Sequence, residues 1–181
     1  MTATYLKNLL KDRQVASITP TSRFGTRRII ARIPHHAKMV IVEYGPGDGP
    51  ITKAILAKMP PTGLLIAIES NADFVKQLTA IKDPRLKIIH GRSENIKTIL
   101  REINLKSVDC VISGIPFSLT PKPVAERLVA DTAEILKPGG RFLVYQFRHG
   151  VSRLLARHFH LINKKYILLN LPPLWLFEVK K

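Results

Sequence analysis

Short apolar runs alternate along the chain with stretches of helical spacing. Met39 to Val42, Leu64 to Ile68, Leu86 to His90, Ser107 to Ser113 and Arg141 to Phe147 are rich in branched residues and bounded by turn residues. Such runs read as buried strands. Between them, Ile51 to Met59 has helical spacing, Asn71 caps a helix to about Ile81, Gly91 to Asn95 opens one to about Glu102, and Pro121 begins one that reaches Leu136. Lys137-Pro138-Gly139-Gly140 reads as its stop. Arg148 to His158 reads as helical, and Phe159 to Leu169 with Leu174 to Lys180 as a closing strand pair. Upstream, Thr4 to Arg13 predicts an amphipathic helix with Tyr5, Leu6, Leu9 and Leu10 on one arc. A second helix runs from the Pro20-Thr21-Ser22 start to about Ile33, where Pro34 ends it. Strands that alternate with helices predict an α/β fold with a mostly parallel central sheet and helices on both faces. The whole chain, 1–181, reads as one domain: an N-terminal helical extension over 1–36 and a core over 37–181.

In such sheets ligands bind beyond the carboxyl ends of the strands. That gathers the turns near 45–49, 69–71, 91–94, 113–118 and 146–149 around one crevice. The first turn, Glu43-Tyr44-Gly45-Pro46-Gly47-Asp48-Gly49-Pro50, joins a strand to a helix. Glycine lets a backbone approach a ligand closely, and proline suits the first helical position. The dinucleotide fingerprint would place its third glycine at position 50, which is proline here. The turn opens instead on a carboxylate, Glu43, which suits a cationic or hydroxyl-bearing ligand. Glu69, 20 residues beyond Gly49, ends the second strand where a carboxylate can take both hydroxyls of a ribose.

Glu43-x-Gly45-x-Gly47-x-Gly49 followed by Glu69 resembles the S-adenosylmethionine site of class I, Rossmann-like methyltransferases, over residues 39–147. The resemblance implies S-adenosylmethionine as cofactor, held by Glu43, Gly45, Gly47, Asp48, Gly49, Glu69, Ser70, Arg92, Ser93 and Ser113. Relatives usually carry Gly-Asp-Ala after the third strand, with the Asp reaching adenine. Here the residues are Gly91-Arg92-Ser93, so the contact falls to Ser93, Glu94 or backbone. Gly114-Ile115-Pro116-Phe117 resembles the N-L-P-Y/F loop of ribosomal RNA adenine dimethylases, but Gly114 stands where their Asn amide grips the target amine. The runs Leu6 to Leu10 and Val15 to Ser22, Val111 to Phe117, and Asn170-Leu171-Pro172-Pro173 with Trp175 resemble bacterial phospholipid N-methyltransferases. That resemblance spans nearly the whole chain. It implies methylation of phosphatidylethanolamine toward phosphatidylcholine at a membrane surface.

Charge sharpens this picture. The formal net charge is +16. Residues 1–40 hold 8 Lys/Arg and 1 acid, and residues 151–181 hold 6 and 1, while the longer middle is nearly balanced. Two basic ends point to a polyanionic partner, either an anionic membrane surface or nucleic acid. The lipid reading makes the partners a phospholipid substrate and the anionic surface, with no obligate protein partner. It places the protein in the cytoplasm, peripherally on the inner face of the membrane. One cysteine, Cys110, excludes a disulfide framework, and no ligand spacing for a metal is evident. No uncharged run approaches the length needed to span a bilayer.

An amine must be neutral to accept a methyl group. Burial and a neighbouring cation both disfavour its charged form. Candidate catalytic groups are Tyr145, His149 and the backbone carbonyls of Ser113 and Gly114. Thr21, Ser22 and Arg23 at a helix start and Arg148 at a strand end are candidates for the lipid phosphate. Ile115, Pro116 and Phe117 would wall the acceptor. An RNA or DNA amine and a small-molecule amine stay open as alternative acceptors.

Overall fold

The computed structural model describes residues 21–170 and 172–181. The expected helix over Thr4 to Arg13 lies outside them. The described elements are α1 (Arg23–Ile30), β1 (Val40–Tyr44), α2 (Pro50–Lys58), β2 (Leu64–Glu69), α3 (Ala72–Leu78), β3 (Leu86–His90), α4 (Ile96–Glu102), β4 (Val108–Ser113), α5 (Lys122–Ile135), β5 (Leu136–Gln146), α6 (Ser152–Leu155), β6 (His160–Ile167) and β7 (Leu174–Lys180). Short 3₁₀ turns at Ser93–Asn95 and His149–Val151 lead into α4 and α6.

Seven strands form one sheet in the order β3-β2-β1-β4-β5-β7-β6. The first five are parallel, and β7 and β6 close it antiparallel. Alternate residues of the central strands serve opposite faces, as strand geometry requires. Val42, Val111, Phe142 and Val144 pack with α4, α5 and α6. Ile41, Cys110, Ile112 and Leu143 pack with α1 and α2. The sheet is therefore covered on both sides, which explains why its strands read as continuous apolar runs.

Three details differ from expectation. Lys137 to Gly140 do not separate α5 from β5. The strand starts at Leu136, directly after the helix, and the four residues bulge out between the Val108–Leu136 and Cys110–Arg141 pairs. Gly139 takes a positive φ there, and the buried Asp109 holds the bulge through Lys137 Nζ at 2.7 Å. Asp109 also accepts from the Val40 N–H at 2.7 Å, so one carboxylate starts β1 and anchors β5. The stretch after Arg148 is helical only to Leu155.

The third detail concerns the start of α1. The backbone N–H of Ser22 donates to Asn170 Oδ1 at 2.7 Å, and Ser22 Oγ donates to the Leu169 carbonyl while accepting from the Gly25 N–H. Asn170, 1% exposed, donates in turn to the Pro172 carbonyl. The helix start expected to be an anion site is thus tied to the β6–β7 turn by an amide oxygen. Replacing Asn170 by Ala leaves the Ser22 N–H without its acceptor, at a cost of about 1–3 kcal/mol. Thermal unfolding should shift down by several degrees, and Asn170→Asp, which keeps an acceptor oxygen, should lose less.

Candidate active site

A cleft opens over the carboxyl ends of β1 to β4. Gly45, Glu69, Ser70, Arg92, Ser93 and Ile115 line it, with Phe74 and Leu128 as apolar walls. Of the turns expected around one crevice, those near 45, 69–71, 91–94 and 115–116 line this cleft, whereas Gln146 to Arg148 line a neighbouring one. Gly45, Gly47 and Gly49 all have positive φ. At Gly49, the N-cap of α2, a Cβ would also meet Leu78 Cδ2 at 2.9 Å, so the close packing of α3 demands glycine.

Two buried carboxylates hold the turn. Glu69 Oε2 accepts from the Gly47 N–H at 3.0 Å, and Oε1 accepts from the Asn71 N–H at 2.9 Å. Burial raises its pKa, while the backbone N–H groups of Asn71, Gly47 and Ser70 pull it down. Glu43 is fully buried below the turn. Its Oε2 accepts from Thr52 Oγ1 at 2.7 Å, and its Oε1 has no partner. Desolvation pushes the carboxyl up to about 8, against the Thr52 hydrogen bond. An orphaned, half-compensated acid under a glycine turn fits a ligand that brings a cation. Asp48, on the same turn, is half-buried. Arg92 turns outward to Glu94 at 3.3 Å, whereas Ser93 is buried in the cleft wall. Ser70 is exposed at the rim.

A second cleft adjoins the first, and Pro116 lines both. Thr21, Gly114, Ser118, Tyr145 and Arg148 bring polar atoms to it, and Leu119, Phe147 and Leu174 make it apolar on one side. Gly114 and Tyr145 define each other. A Cβ on Gly114 would meet the Tyr145 hydroxyl and would lie 2.8 Å from its Cζ, so no side chain fits at 114 while the ring is there. Burial, Glu43, Glu69 and Asp48 all raise the Tyr145 pKa, so the hydroxyl keeps its proton. Ser113 is fully buried, and its Oγ accepts from the Ile115 N–H at 3.2 Å, which shapes the turn.

Three expected site residues sit elsewhere. His149 packs its ring on Trp175, with centroids 6.2 Å apart, and lines neither cleft. Phe117 is buried in the core on the α5 and α6 side. Arg23 is exposed on α1, whereas Thr21 reaches the second cleft and Ser22 is occupied by Asn170 and Leu169. Gln146 was not anticipated. It is 7% exposed and lines the second cleft; its Nε2 donates to the Arg148 carbonyl and its Oε1 is unpartnered. A glutamine closing an apolar strand was the only signal. Among the described residues, no group of three or more His, Cys, Asp and Glu side chains is placed to hold a metal ion.

The family model described as "Methyltransferase small domain" matches residues 21–166, most of the chain. The chain belongs to this family. It is a methyltransferase, and S-adenosylmethionine is the methyl donor of such enzymes. The residues present fit that donor: a ribose-type acid at Glu69, a glycine cradle, and an unpartnered acid at Glu43. Over 162 residues the chain is 28% identical to an ornithine lipid N-methyltransferase of Singulisphaera acidiphila, covering 88% of this chain and 84% of that one. The fold matches 1,6-didemethyltoxoflavin-N1-methyltransferase of Burkholderia thailandensis, solved with 1,6-didemethyltoxoflavin and S-adenosylhomocysteine. Its TM-score is 0.71 at 14% identity, over 99% of this chain and 86% of that one. TrmN of Thermus thermophilus matches with a TM-score of 0.70 at 14% identity over 86% of this methyltransferase, which spans about half of it, 48%.

Changes at Glu43 and at Gly114 test this geometry. The folded pKa of Glu43 lies above its ordinary 4.5, so its burial is free of charge penalty below that value. Stability is lost as pH rises toward about 8. Glu43→Gln should flatten that slope in thermal melts. In the native methyltransferase, donor binding between pH 6 and 8 should release a proton, read as a calorimetric enthalpy that depends on buffer ionisation. Gly114→Ala should destabilise by about 1–3 kcal/mol through overpacking. Adding Tyr145→Phe should recover only part of that, because the ring carbons remain in the way.

Proposed function

We propose that this methyltransferase acts on the primary amine of a membrane lipid headgroup. The observation that carries the reading is the second cleft, which meets the donor cleft at Pro116 and combines hydroxyls, one arginine and an apolar side. When bound, S-adenosylmethionine supplies an electrophilic methyl group on a positively charged sulfur.

The chain's residues then have to hold a neutral amine in line. An alkylammonium titrates near ~10, and desolvation beside positive charge lowers that value. The Tyr145 hydroxyl stays protonated, so it serves as a neutral hydrogen-bond partner and not as a phenolate base. With the Ser113 and Gly114 carbonyls at the end of β4, and Gln146 Oε1 at the end of β5, it can accept N–H bonds and aim the lone pair. Alignment of this kind supplies up to about 7–11 kcal/mol of a barrier. Arg148, exposed on the same cleft, suits the anionic group that accompanies the amine. Leu119, Phe147 and Leu174 suit the start of an acyl chain.

The name of the Singulisphaera acidiphila relative supports an amino lipid. Its headgroup would pair an amine with a carboxylate, whereas the ethanolamine phospholipid expected from the sequence pairs an amine with a phosphate. Both offer the same chemistry to Tyr145 and Arg148. A nucleobase is disfavoured because Gly114 has no amide to grip it and Tyr145 fills the space.

Labelled methyl donor separates the possibilities. It is offered with vesicles of phosphatidylethanolamine, vesicles of ornithine lipid, total RNA, and free ethanolamine or ornithine. Label should enter one or both lipid arms. Label in RNA, or in the free amines alone, would reject the lipid reading. In the active arm, Tyr145→Phe should lower kcat about tenfold or more and leave donor affinity unchanged.

A further inference from the structure

We infer that the turn between β6 and β7 seats the protein on an anionic bilayer, with Leu168 and Leu169 entering the boundary between headgroups and acyl chains. The purpose of this contact rests on the amino-lipid reading; the surface itself rests on the following geometry.

Leu168 and Leu169 are 70% and 66% exposed, more than any other large apolar side chain among the described residues. They are not exposed through slack in the chain. The Leu169 carbonyl accepts from Ser22 Oγ, and the buried Asn170 is bonded to Ser22 and Pro172. The backbone is anchored at Leu169 and Asn170, and two exposed leucines stand at that anchor. The turn also has a defined position. β7 is antiparallel to β5, and β6 is antiparallel to β7. The end of β6 and the start of β7 therefore rise at the carboxyl edge of the sheet, where both clefts open. Leu174, which ends the turn, lines the acceptor cleft, and Leu119, 46% exposed, lines it as well. Phe24 on α1, beneath the Arg28 guanidinium, adds an aromatic edge next to the Ser22 anchor.

Charge selects the occupant. Residues 21–42 and 149–177, the two segments that meet at this turn, contain no acidic residue. Arg23, Arg27, Lys164 and Lys165 are exposed on them, and Arg148 stands at the cleft. Leucine tips on segments whose charges are all cationic, beside an apolar-sided cleft, match the amphipathic pattern of proteins that lie in a lipid interface. No helix among the described residues is long and apolar enough to cross a membrane, so this contact would be peripheral.

The test uses the full chain and vesicles of phosphatidylglycerol with phosphatidylethanolamine. Leu168→Asp with Leu169→Asp should lower vesicle partitioning at least about tenfold, with the methylation rate on vesicle lipid falling alike. Donor affinity by calorimetry, the thermal midpoint, and the rate on a monomeric short-chain amino lipid should hold. Leu168→Trp should show blue-shifted emission on adding vesicles. Unchanged partitioning of the double variant overturns the proposal. So does a lowered thermal midpoint with unchanged partitioning, which would give the leucines a partner within the chain. So does loss of a dimer in sedimentation with partitioning intact. If the wild type methylates no lipid in any form but the double variant still loses vesicle binding, the substrate reading fails and the surface stands.

Discussion

The strand order reverses direction between β1 and β4. From β1 the chain winds outward through β2 and β3, then returns to the other side for β4 and β5. Connections leave these two neighbouring strands toward opposite sides, so nothing crosses the gap above their carboxyl ends, and a cleft must open there. The first cleft is built around the two lips of that gap, and the second reaches from one of them to the end of β5. The glycine turn after β1 forms one lip and the Gly114-Ile115-Pro116 turn after β4 forms the other. Gly45 and Ile115 come close across it, with a Cβ on Gly45 falling 3.4 Å from Ile115 Cγ1.

Buried carboxylates brace the sheet at both of its edges. Glu69 bonds the glycine turn and the start of α3, and Asp109 fixes the start of β1 and the β5 bulge. Glu178, almost fully buried, pairs with Arg32 and Arg141 and so ties the end of α1 to the sheet. Glu43 is the exception. It is the most buried of these acids and has an oxygen with no partner. A buried acid left half-satisfied is expensive in a fold, and its neutralisation is the usual relief. Stability elsewhere can carry that expense at a site whose ligand brings the missing charge.

The strands, the crevice and the family were legible in the sequence because buried parallel strands, positive-φ glycines and capped helices each leave a local mark. Gly49, Asn71 and Pro50 behave as their residue types require. The misreadings share one physical origin, which is that tertiary partners decide between local options. Pro138-Gly139-Gly140 is strong stop chemistry for a helix, yet Asp109 and Lys137 hold it as a bulge inside a strand. Ser22 is good cap chemistry with free N–H groups, yet Asn170, 148 residues away, takes the place of an anion. Phe117 and His149 carry suitable side chains at suitable turns, yet one faces the core and the other an aromatic neighbour. No local pattern reports what a side chain meets across the fold.

Gly114 shows the same principle acting on specificity. Read alone, its missing side chain is a loss of the group that would hold a target amine. In the fold it is a condition for Tyr145, whose ring needs the volume that any Cβ at 114 would take. In the proposed reading the hydrogen-bonding duty moves from the β4 turn to the end of β5, where Tyr145 lines the second cleft with Gln146 and Arg148. That relocation changes what can be recognised. An amide on the β4 turn presents a flat donor and acceptor pair suited to a base edge. A tyrosine hydroxyl, a glutamine carbonyl and an arginine at the end of β5 present separate points suited to an amine and an anion on a flexible headgroup. On the lipid reading proposed above, this exchange of one side chain for another across two neighbouring strands would turn the same cleft from a planar acceptor toward a zwitterionic one.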